Sequence, residues 1–195
     1  MPKVRIAAMS GSMILALLGA GLFAWTWFPP PMNSETHHLA VADLMAERLD
    51  LTLASPAWLR SRIAENYVLR LARSGESAGG ERRPVWVELH AAGSVVRPGN
   101  EQGGAIGPGE HLEYRWTVAA WAGENAMVEI SLRLPEDRTE AGRAVWAETA
   151  DLEVRDYLGM DAVAARAAGA LGAILGALIL AITGRFPDPP AARKT

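Results

Sequence analysis

The sequence predicts a membrane protein in which two transmembrane α-helices flank an all-β extracytoplasmic domain, folded as an antiparallel β-sandwich. Three observations predict it. Apolar stretches cover residues 6–28 and 161–183, each long enough at ~1.5 Å per residue to cross a hydrocarbon core of ~30 Å. Between them, apolar and polar residues alternate with a period of two in successive short runs, as half-buried strands require. Charge is also segregated: from Asn33 to Met160, 13 arginines and no lysine stand against 20 carboxylates, whereas Lys3, Arg5, Arg185, Arg193 and Lys194 make both tails basic. The positive-inside rule then places both termini in the cytoplasm and the acidic centre outside.

The elements follow in order. A basic tail, residues 1–5, enters the first span, residues 6–28. Along that span Ala8, Ser12, Ala16 and Ala20 form a row of small residues suited to close helix packing. Trp25, Trp27 and Phe28 close it, and amphipathic aromatic rings mark the outer interface. A cleaved signal peptide fits less well, because the apolar run is long and its exit is bulky where a cleavage site wants small residues. Pro29, Pro30 and Pro31 lack backbone donors and stop the helix. Residues 29–49 read as a linker, with a short amphipathic helix over 36–49 carried by Leu39, Ala42, Met45 and Leu49.

Residues 50–156 carry the strand pattern. Leu51 and Leu53 begin it, followed by Tyr67, Leu69 and Leu71, and by Val85, Val87 and Leu89. Leu112, Tyr114, Trp116 and Val118 form a further run, then Val128, Ile130, Leu132 and Leu134, then Leu152 and Val154. Turn formers separate the runs, at 74–80, 97–100, 103–109, 123–125 and 135–142. Tyr114 and Trp116, the bulkiest inward residues of their run, are expected to anchor the core.

One resemblance rests on particular residues of this segment. Ser55-Pro56, the run 67–71, Val85-Trp86-Val87-Glu88-Leu89, Val95-Val96-Arg97-Pro98, Tyr114-Arg115-Trp116-Thr117-Val118 and Gly123 succeed one another in a way that resembles an immunoglobulin-like β-sandwich. It is similar to those of bacterial membrane-anchored proteins of unassigned role, and covers roughly residues 50–156. The resemblance implies a module that binds or scaffolds, and carries over no catalytic residue. The disulfide and core tryptophan pattern of antibody domains is absent.

In the second span Asp161 suits an N-cap. Gly169, Gly172 and Gly176 dominate one side, so the two spans are expected to pack on each other or on foreign helices. Arg166 lies about one turn inside, where its long side chain can snorkel to the interface. Residues 184–195 form a short cytoplasmic tail.

No residue is assigned a catalytic, cofactor-binding or metal-binding role, and no small-molecule substrate is identified. Without cysteine, thiolate metal sites and thiol catalysis are excluded. His37 and His38 are adjacent, which on a helix turns their rings about 100° apart and disfavours joint chelation, so they read as exposed structural residues. His90 and His111 read the same way on polar strand faces. Glu136, Asp137 and Glu140 lack the spacing of a dedicated calcium loop, and the glycines of 103–109 follow no βα pattern. The acidic centre argues against nucleic acid.

The expected function is that of a non-catalytic accessory or stabilising subunit of a larger membrane complex, a photosynthetic or respiratory energy-converting assembly being the expected host. It would sit in the bacterial inner membrane, with other integral membrane subunits and the lipid bilayer as partners. The alternative is a membrane-anchored ligand-binding or sensor module.

Overall fold

Twenty-four residues of nearly uninterrupted apolar character make each terminal helix: α1 spans Pro2–Trp25 and α2 spans Ala162–Arg185. The computed structural model describes residues 2–40, 48–74, 81–121, 125–134 and 144–185. The chain divides into two units, one made of Met1–Pro29 with Tyr157–Thr195, the other of Pro30–Asp156.

In the helical unit, α1 and α2 lie antiparallel, Phe23 of the first against Gly169 of the second and Ala16 against Gly176. Both are long and apolar enough to cross a membrane. Helix α1 ends by tightening: the Trp27 N–H reaches the Ala24 carbonyl at 3.0 Å and the Phe28 N–H the Trp25 carbonyl at 3.3 Å, satisfying carbonyls that a helix end leaves free. Helix α2 starts on a side-chain cap, the Ala164 N–H donating to Asp161 Oδ1 at 2.8 Å.

The other unit is a β-sandwich. One sheet has the order β1-β2-β4-β8-β6, built from Met32–Ala40, Arg48–Pro56, Ala64–Ser74, His111–Ala120 and Ser94–Arg97. The facing sheet has the order β10-β9-β5-β7, from Ala144–Leu152, Ala126–Arg133, Arg83–Ala91 and Glu101–Ile106. Both are antiparallel throughout, and a parallel bridge joins β3 (Leu59–Arg60) to β11 (Val154–Arg155). The chain stays in the first sheet through β1, β2 and β4, switches sheet at each step from β5 to β9, and ends in the second sheet with β10, so that β4 pairs with β8 and β5 with β9 as in a Greek-key sandwich.

The core is the inward half of each alternation: Leu51, Leu53, Tyr67, Leu69, Leu71, Val85, Val87, Leu89, Trp116, Val118, Ile130 and Leu132 are buried together. On β4 the inward row begins and ends with charge. Glu65 is buried against Arg60, whose Nε donates to Glu65 Oε1. Arg73 at the other end donates from Nη1 to the carbonyls of Glu81 and Ile106, each at 3.0 Å. Both charges are paired or hydrogen-bonded, as burial demands.

Three expectations change. The helix expected over 36–49 does not form at its start: Met32–Ala40 is strand β1, in register with β2 from Met32–Pro56 to Ala40–Arg48, and Arg48 and Leu49 belong to β2. Residues 41–47 lie outside the described residues. Pairing supplies the reason, because β2 carries core leucines and β1 covers its open edge, a tertiary demand that outweighs a weak helical spacing. The segment expected as a turn over 103–109 is strand β7 up to Ile106, paired with β5 from Arg83–Ile106 to Glu88–Glu101. A Cβ on Gly103 would stand 2.6 Å from the Trp86 ring lying across it, so any larger residue there must displace that ring. Finally, the strand expected to carry Leu152 and Val154 is split: β10 begins at Ala144 and ends at Leu152, and Val154 opens β11. The acidic loop of Glu136, Asp137 and Glu140 lies outside the described residues.

One core residue carries a pH signature. The Tyr67 hydroxyl is buried and finds no hydrogen-bond partner among the described residues. Burial first, and the Glu65 charge second, push its pKa well above the ordinary tyrosine value. The folded state therefore holds a proton that the unfolded chain releases above pH ~10, and stability falls by about 1.4 kcal/mol per pH unit beyond that point. Tyr67→Phe is expected to be neutral or stabilising at pH 7, because it removes an unsatisfied hydroxyl. It should also flatten the loss between pH 10 and 11, measured by urea unfolding at each pH.

Candidate functional site

Helix contact is built from residues that have little side chain. Gly176 lies so close to α1 that a Cβ there would sit 2.5 Å from the Ala16 nitrogen and 2.7 Å from the Ser12 carbonyl oxygen. A Cβ on Gly169 would meet the Phe23 nitrogen at 2.6 Å and the Gly19 oxygen at 2.9 Å. Gly172 is looser, 3.4 Å from the Gly19 Cα. Ser12, Ala16, Gly169, Gly172 and Gly176 are thus brought together in one seam.

Ala20 does not join it. Ala20 is exposed, and buried Gly19 takes the place expected for it. The reason is helical phase. At about 100° per residue, a step of eight from Ser12 swings about 80° off the seam, whereas a step of seven returns to within about 20°. A sequence reading that alternated steps of four and three would have found Gly19. Ala8 is exposed as well.

Arg166 is half-buried within the helical unit. Its Nη2 donates to the Thr26 carbonyl at 2.9 Å, and its guanidinium stands 4.3 Å from the centre of the Trp27 ring. The cation thus meets the negative end of α1 and an aromatic face at once. Trp25 sets its ring edge-on to Tyr157 at 5.2 Å. Trp25, Trp27 and Phe28 are all exposed.

A polar cluster occupies the sandwich edge where β1 of one sheet meets β10 of the other. On a strand, residues two apart share a face, so Glu35 and His37 point the same way, as do Trp146 and Glu148. His37 Nε2 lies 2.9 Å from Glu148 Oε2 and 3.9 Å from Glu35 Oε2. The Trp146 ring packs against the imidazole, centroids 5.4 Å apart. The donor atoms of Glu35, His37 and Glu148 all fall within 4.8 Å of one another, the one such group of histidine and carboxylate side chains among the described residues. His38 points to the other face, its Nδ1 2.7 Å from Asp50 Oδ1. The expectation of a simply exposed His37 is therefore corrected: once the segment is a strand, neighbouring histidines diverge and Glu35 becomes the companion of His37. His90 and His111 are exposed on their strands.

A second surface feature is a cavity of about 400 Å³ lined by Arg62, Val95, Arg97, Thr117, Ala119 and Trp121. Arg62 stands 5.6 Å from the Trp121 ring centre, and Arg155 stands 4.8 Å from that of Trp58.

No family model matches the chain, and no curated protein matches it in sequence. Solved structures similar to it include the complex of Zinc 2-glycoprotein and Prolactin inducible protein from human seminal plasma, at 8% identity over 63% of this chain and 93% of that one, with a TM-score of 0.40. Another is the CARDB domain of a Pyrococcus furiosus protein in complex with di-metal ions, at 14% identity over 65% of this chain and 94% of that one, TM-score 0.35. A third is SSP-19, an MSP-domain protein like family member in Caenorhabditis elegans, at 13% identity over 51% of this chain and 94% of that one, TM-score 0.33.

Proposed function

We propose that the protein is a non-catalytic accessory subunit of a larger membrane assembly, held in the bacterial inner membrane by α1 and α2 with its sandwich on the extracytoplasmic side. One observation carries this reading. The two helices bury only 11% of each apolar window and leave Ile14, Leu17, Leu18, Leu171, Ile174 and Leu178 exposed. A wall of that size is unfavourable in water and at home in hydrocarbon or against other apolar helices. The glycine seam is consumed within the hairpin, so partner helices meet the large side chains on its outer faces. A sandwich tethered at both ends then offers its loops and edge strands to extracytoplasmic partners, while the basic tails stay in the cytoplasm.

The Arg62–Trp121 cavity favours a second reading, a membrane-anchored module whose sandwich binds an anionic or aromatic ligand. Purification in mild detergent followed by mass spectrometry separates the two. The accessory role predicts co-purification with a multisubunit membrane complex at fixed stoichiometry; isolation as a free protein or homodimer overturns it.

A further inference from the structure

We infer that Glu35, His37 and Glu148 form a site for a divalent transition-metal ion, with zinc the best fit, that staples edge strand β1 of one sheet to edge strand β10 of the other. The two sheets place β1 and β10 at the same lateral edge of the sandwich, where no covalent or ladder bond joins them among the described residues. Across that gap three side chains converge, two from β1 and one from β10. Their donor set, one imidazole nitrogen and two carboxylate oxygens, is a zinc-type set with a position left for water; calcium and magnesium prefer oxygen alone. Two carboxylates also balance the charge of a divalent cation.

The spacing of the donor atoms also fits a shared ion. Ligand atoms about 2.0–2.1 Å from a tetrahedral ion stand about 3.3 Å from one another, and the separations of 2.9 and 3.9 Å from His37 Nε2 bracket that value. Nε2 and Glu148 Oε2 are shielded from solvent, yet at 2.9 Å neither makes a hydrogen bond among the described residues. By contrast, His38 Nδ1 and Asp50 Oδ1 meet the geometry of a hydrogen bond at 2.7 Å. The Trp146 ring beside the imidazole restricts its rotation, which is what a metal ligand needs from its surroundings.

The test uses the full chain in detergent micelles. Titration with Zn²⁺, followed by calorimetry and by thermal unfolding, should give one ion per chain and a melting temperature that rises with zinc and returns with chelator, as mass action requires. His37→Gln and Glu148→Gln should each weaken binding at least tenfold and abolish the thermal response, while His38→Gln leaves both intact. Co²⁺ supplies a second readout, a visible absorption distinct from that of the aqueous ion and lost in His37→Gln. No saturable binding, binding unchanged in both Gln variants, or an equal loss in His38→Gln would overturn the proposal. Failure here leaves the accessory role untouched, since the metal reading rests on the sandwich alone.

Discussion

Gly176→Leu is expected to separate α1 from α2 while leaving the sandwich folded. The argument is steric. At Gly176 the first atom of any side chain already falls 2.5 Å from the Ala16 backbone nitrogen, and backbone cannot swing aside as a side-chain tip can. The cost lies at the top of the overpacking range, about 3 kcal/mol, and it falls on an interface with little else to hold it, because helix association in lipid relies on close approach rather than on apolar burial. Nitroxide labels on cysteines placed at Ile14 and Leu178, in a chain with no native cysteine, would report it by pulsed spin-resonance distances. The native seam should give one narrow distribution and Gly176→Leu a broad, longer one. Gly172→Ala should match the native distribution, since its Cβ would sit 3.4 Å from the nearest atom. Equal effects at Gly172 and Gly176 would mean that the seam is not drawn as described.

Trp116→Ala should destabilise the sandwich by about 3–5 kcal/mol. Trp116 is 1% exposed, stacks on Tyr114 at 6.1 Å and stands in register with Tyr67 on β4. Its removal opens a void between the sheets at their centre, and the surrounding rings can close it only in part. Its indole N–H has no hydrogen-bond partner among the described residues, so the loss is one of packing. For a domain stabilised by about 5–15 kcal/mol, that is a large fraction, and the melting temperature should fall by about 10–20 °C. Trp86→Ala makes the comparison, because Trp86 is 44% exposed and should cost far less. A near-neutral Trp116→Ala would place that residue on the wrong face of β8.

The central strands were legible because burial imposes a pattern on them. Tyr67, Leu69 and Leu71, or Val85, Val87 and Leu89, must be apolar at every second position, and the structure buries each of them. Edge strands carry no such obligation. β1 is exposed through most of its length and is held by backbone pairing with β2, which any residue can supply, so its side chains gave a misleading helical spacing. The same blindness delayed the start of β10 and hid β7. The glycines of α2 were legible as a packing face, yet their partner Gly19 depended on helical phase. The cluster of Glu35, His37 and Glu148 was beyond reach, since Glu148 sits on an edge strand of the other sheet, far along the chain from Glu35 and His37.

Single-cysteine labelling tests most directly that the sandwich and the C-terminal tail lie on opposite sides of the membrane. With no native cysteine to mask, Asn100→Cys reports on the sandwich and Lys194→Cys on the C-terminal tail. A membrane-impermeant maleimide applied to intact spheroplasts should label Asn100→Cys at once and Lys194→Cys only after permeabilisation. Labelling of Lys194→Cys from outside, or of Asn100→Cys only after lysis, would contradict the account.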